Sequence, residues 1–72
     1  MVYPVILREG EDGQFVAECP SIDGCFSQGA SVQDALANIR EAIALCLEVI
    51  QARGEPLPSP GTTLLSEVSI RR

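Results

Sequence analysis

The stretch from Ser31 to Gly54 is what most limits the fold open to this chain. Apolar residues fall at Val32, Ala35, Leu36, Ile39, Ala42, Ile43, Cys46, Leu47 and Ile50, the three-and-four spacing of one stripe along a helix. Ser31 with Asp34 three residues on resembles a capping box, Asp standing where Glu is usual. The hydroxyl can accept from the Asp34 amide, and the carboxylate lies near the positive end of the helix. Arg53 and Gly54 supply a cation and a C′ glycine at the other end. A single amphipathic helix must bury its stripe on another element. In a chain of 72 residues that element has to come from the short flanks.

The flanks read as strands. Residues 2–8, VYPVILR, form an apolar, β-branched run, and Pro4 favours an edge position or the first residues of the strand. Glu9-Gly10-Glu11-Asp12-Gly13, with two glycines and an Asp-Gly pair, is a hairpin turn. Residues 14–19, QFVAEC, follow, with Phe15, Ala17 and Cys19 on one face and Val16 and Glu18 on the other. A turn at Pro20-Ser21-Ile22-Asp23-Gly24 leads to a short third strand over 25–28. After the helix, Glu55 to Gly61 holds three prolines and reads as an extended connector. Residues 64–70, LLSEVSI, alternate at their end and read as a last strand. The expected fold is therefore α+β: three or four mainly antiparallel strands with one helix on a face, in the order β-β-β-α-β. It forms a single domain over residues 1–72.

Charge and composition narrow the function. Ten acidic residues against five arginines, with no lysine and no histidine, leave a net charge of −5. A phosphate-tracking groove needs clustered Lys and Arg, so a nucleic-acid partner is not expected and a basic one is favoured. The start of the chain lacks a signal-peptide pattern, and no apolar run reaches the ~20 residues of a membrane span. A cytoplasmic protein is expected. An odd set of cysteines, Cys19, Cys25 and Cys46, fits reduced thiols rather than a disulfide framework.

Catalytic chemistry lacks its parts. Ser27, two residues before Gly29, superficially matches a nucleophile elbow. An acyl-transfer serine needs a base within reach, however, and the chain has neither histidine nor lysine. Cys25 also stands where the first glycine of that motif belongs. Ser27 is read as a strand-end residue and Cys25 as a small buried side chain. Cysteine spacing suits no zinc site. Glu9, Glu11 and Asp12 crowd a turn that would be solvated, and Glu18 with Asp23 is a poor basis for a two-metal centre. No catalytic residue, metal or cofactor is expected, and the chain is read as a non-enzyme.

These pieces in their order resemble a known family. The glycine hairpin with Phe15-Val16-Ala17, then Pro20, Gly24, Cys25, Ser27, Gly29, Ala35, Gly54, Pro56 and Pro58, is similar to the HicB antitoxins over almost the whole chain. Asp23 stands where that family usually has proline. The resemblance implies a truncated RNase H-like arrangement of three or four strands and one helix, usually without RNase H catalytic acids. It also implies a partner: HicA-type toxins, small basic RNases that the antitoxin binds and neutralises. Many members carry a C-terminal operator-binding segment. This chain stops at Arg72, so operator binding by it alone is not expected.

The expected function is thus that of a HicB-like antitoxin of a type II toxin–antitoxin system, as a homodimer. Leu45, Val49 and Ala52 lie beside the main helical stripe and are candidates for contact with a partner or second subunit. The acidic hairpin residues Glu9, Glu11 and Asp12 are candidates for meeting a basic surface. The alternatives are a vestigial nuclease domain with weak metal-dependent activity and an orphan homo-oligomeric scaffold.

Overall fold

The computed structural model describes residues 2–61, 64 and 66–71. Three strands and one helix follow one another: β1 (Ile6–Glu9), β2 (Phe15–Glu18), β3 (Phe26–Gly29) and α1 (Val32–Ala52). The strands form an antiparallel sheet in the order β1-β2-β3. Leu7 stands opposite Ala17, and Ala17 opposite Ser27. The sequence places all three strands, with shifted ends. Pro4 falls outside β1, which starts two residues later as an edge strand, in line with the missing amide donor.

Turn chemistry sets the register. Gly13 adopts φ +72° and closes the first hairpin, where the Gly10 amide donates to the Gln14 carbonyl at 2.6 Å. The second turn is tied by Cys19 N–H to Cys25 O at 2.9 Å, with Ile22 and Cys25 amides each donating within the loop at 3.2 Å. Gly24, at φ +71°, supplies its reversal. Asp23 in place of a proline leaves this loop closed. Ser31 caps α1 as the spacing requires, accepting from the Asp34 amide at 3.1 Å. The helix ends in a Schellman motif: Gly54 N–H donates to Gln51 O and Glu55 N–H to Ile50 O, with Gly54 at φ +73°.

The core lies between α1 and one sheet face. Ala17, Cys19, Ile22, Cys25, Ala35 and Ile39 are buried, and Leu7, Phe15, Ile43, Cys46 and Leu47 pack around them. The helix rests on β2 and β3, and its first turn meets β3 directly. A Cβ added at Gly29 would lie 2.5 Å from the Ala35 nitrogen. Two expectations are corrected here. Val32 and Leu36, assigned to the buried stripe, are exposed, Leu36 by 42 %. A stripe is buried only where something lies opposite it, and the sheet does not extend under that flank. The expected strand over 64–70 is also absent: Leu64 and residues 66–70 pair with no strand, while Leu65 lies outside the described residues.

The connector after the helix is clasped to the sheet's end. The Tyr3 hydroxyl donates to the Pro58 carbonyl at 2.6 Å, and the Ser21 hydroxyl to the Pro60 carbonyl at 2.8 Å. Residues 55–61 therefore pass the start of β1 and continue toward the β2–β3 loop.

Candidate partner interface

The second half of α1 presents an apolar flank that its own sheet does not cover. Leu45 is 62 % exposed, and Val49 and Ala52 are exposed one and two turns on. Leu45 and Val49 border a shallow depression of about 290 Å³ together with Ile22, Asp23, Cys46 and Ile50. Ala52 lies outside it. The floor is made by Ile22, whose side chain is buried from the β2–β3 turn. Nothing in the local sequence marks Ile22 as core, because a lone isoleucine between Pro20 and Gly24 reads as part of an exposed turn. Asp23 sits at the rim, Glu48 is exposed nearby, and the last helical turn carries no basic residue. Arg53 at the C-cap complements the negative end of the helix dipole, so the acidic rim rests on Asp23 and Glu48.

Glu9, Glu11 and Asp12 are also exposed, at the other end of the molecule. They flank the β1–β2 turn, beside the end of β3 where α1 begins. Glu11 and Asp12 border a separate hollow of about 380 Å³ with Gly10, Gln14, Val16 and Gln28. The structure therefore does not bring the two sets of candidate residues together. The hairpin acids and the Leu45–Val49 flank are distinct surfaces, separated by most of the length of α1, about 1.5 Å per residue.

The residues weighed for catalysis are placed apart as well. Glu18 is on the open sheet face, where its Oε1 lies 3.4 Å from Arg8 Nη1. Asp23 belongs to the helix side, across the sheet from it. No group of three or more His, Cys, Asp or Glu among the described residues could hold a metal ion. Ser27 is half-buried in β3 opposite Ala17. Cys25 is fully buried against Cys46, and burial, reinforced by the hydrogen bond and charge of Cys46, pushes its thiol up to about 11. It stays protonated at neutral pH, which removes its nucleophilicity. Among the described residues no helix is long and apolar enough to cross a membrane.

The chain's relatives show its family. A family model described as "HicB_like antitoxin of bacterial toxin-antitoxin system" matches residues 3–69. The chain belongs to the HicB-like antitoxin family. A UPF0150 protein of Thermoplasma acidophilum is 41 % identical over 58 residues, covering 81 % of this chain and 84 % of that one. A Synechocystis UPF0150 protein is 43 % identical over 56 residues, 78 % of this chain and 71 % of its own. One from Helicobacter pylori is 34 % identical over 70 residues, covering 97 % and 96 %. No solved structure matches the chain at a significant level. The HicB-like match runs to residue 69 and so extends beyond the helix and the connector.

Proposed function

We propose that this HicB-like chain is a non-enzymatic antitoxin that binds and neutralises a small basic RNase toxin of the HicA type in the cytoplasm. Support comes first from family membership. The observation that carries the contact is the apolar depression under Leu45 and Val49, rimmed by Asp23 near the C-terminal end of α1. A cationic protein with an apolar side chain to insert gains both burial and charge complementarity there. The hairpin acids Glu9, Glu11 and Asp12 act at longer range, drawing a basic partner toward an acidic protein and raising its on-rate. The partner is a protein, not nucleic acid, given the charge of −5.

The test is retention of a partner by the tagged chain in its native cytoplasm, followed by identification and assay. The expected result is a small basic protein held in stoichiometric amount, released by high salt, whose RNA cleavage stops when the chain is added back. Recovery of the chain alone would leave an orphan homo-oligomer and contradict the antitoxin assignment.

A further inference from the structure

Two segments far apart in sequence wall the apolar depression: Leu45, Val49 and Ile50 from α1, and Ile22 and Asp23 from the β2–β3 turn. Ile22 joins the core by apolar contact, which holds the turn inward but has no direction. The turn's own bonds, Ile22 N–H to Cys19 O and Cys25 N–H to Ile22 O, are 3.2 Å long, at the long end for N–H···O. A directional tie between the two walls comes from elsewhere.

The connector supplies it. Glu55 N–H is bonded to Ile50 O at 3.2 Å, so the connector starts fixed to the helical wall. The Pro58 carbonyl accepts from the Tyr3 hydroxyl, and the Pro60 carbonyl accepts from the Ser21 hydroxyl at 2.8 Å. Ser21 precedes Ile22, so the far end is fixed to the turn wall. Pro58 and Pro60 are half-buried, whereas Glu55, Pro56, Leu57, Ser59 and Gly61 are exposed. That is the pattern of a strap held at two points. Its composition is stiff: Pro56, Pro58 and Pro60 each lock φ, and proline-rich segments act as semi-rigid spacers. The prolines have no N–H to donate, and the Tyr3 and Ser21 hydroxyls provide the donors instead.

We propose that Ser21 is a positioning residue for the partner interface: through Pro60 it braces the β2–β3 turn against the end of α1 and sets where Ile22 and Asp23 stand opposite Leu45 and Val49. The consequence for binding rests on the toxin-binding reading, because the brace holds the floor and the acidic rim on which the basic partner seats. Without the Ser21 bond the turn is tied only by its own backbone and by Ile22. The depression then loses its fixed width.

Amide hydrogen exchange on the full chain tests the brace without any partner. In Ser21→Ala the amides of Ile22 and Cys25 should exchange about tenfold faster, as in a local opening, while those of Ile43 and Leu47 in α1 keep their rates. Ser21→Thr, which retains the hydroxyl, should restore the native pattern. The same variants are then titrated against the basic protein that co-purifies with the intact chain. Ser21→Ala should bind it about fivefold to tenfold more weakly, the worth of one hydrogen bond, and Ser21→Thr should bind as the native chain does. Should Ser21→Ala lose helix by circular dichroism, Pro60→Gly, which keeps the carbonyl and frees the backbone, is measured in its place. Turn amides that keep their native rates, or helix amides that speed up equally, would overturn the brace. Native affinity despite a loosened turn would overturn its role at the interface. An intact chain that retains no basic protein would contradict the toxin reading and leave the exchange rates to decide the brace.

Discussion

At the scale of residues, the close approach at Gly29 ties the sheet to the helix. Its missing Cβ is what lets the first turn of α1 lie on β3, because any β-carbon would overlap the Ala35 amide at 2.5 Å. Gly29→Ala should therefore cost about 1–3 kcal/mol, the range of an overpacked core, read as a lowered midpoint in urea. Cys25 leads to a second expectation. Its folded thiol ionises near 11 and its unfolded thiol near 9.0. Below pH 9 both states hold the proton and stability does not change on this account. As pH rises from 9 to 11 the unfolded state loses the proton first, so folding weakens by up to about 1.4 kcal/mol per pH unit. A melting series across that window should fall more steeply for the native chain than for Cys25→Ala. Parallel curves would remove the buried-thiol explanation.

At the scale of elements, α1 was the easiest part of this fold to anticipate from sequence. Its caps lie at Ser31 and Gly54, and local hydrogen bonds make both. Ile39, Ile43 and Cys46 face the core as their spacing requires. Spacing fails for Val32 and Leu36 because periodicity describes the helix alone, whereas burial depends on how far the sheet extends beneath it. Ile22 fails the opposite way: its turn composition signals exposure, but three backbone hydrogen bonds fold that turn under the helix. The clasp of Tyr3 on Pro58 and Ser21 on Pro60 joins residues 55 and 39 positions apart, beyond any local signal. Of the candidate surface, the sequence indicates Leu45 and Val49 through their angle to the stripe. It does not indicate that Asp23 joins them or that the hairpin acids stand elsewhere. Val49→Asp places a charge in the depression without touching the core. It should weaken toxin retention at least tenfold, while stability stays within about 0.5 kcal/mol, as for most surface changes. Loss of the fold instead would make that face part of the core.

At the scale of the molecule, the parts divide the work. One sheet face and α1 form a small core, and a small core of this kind gains stability from association. The exposed end of α1 is the surface proposed for a basic partner. In the proposed complex the charge of −5 would set how fast a basic partner arrives, and the apolar depression how long it stays.

The proposed role of this HicB-like protein is to silence a basic RNase by binding it. The most direct measurement is RNA cleavage by the co-purified toxin as the purified chain is titrated in, at low and at high salt. Cleavage should fall to background near equivalence at low salt and return as salt weakens the complex. Cleavage that continues undiminished at a saturating excess of the chain would contradict it.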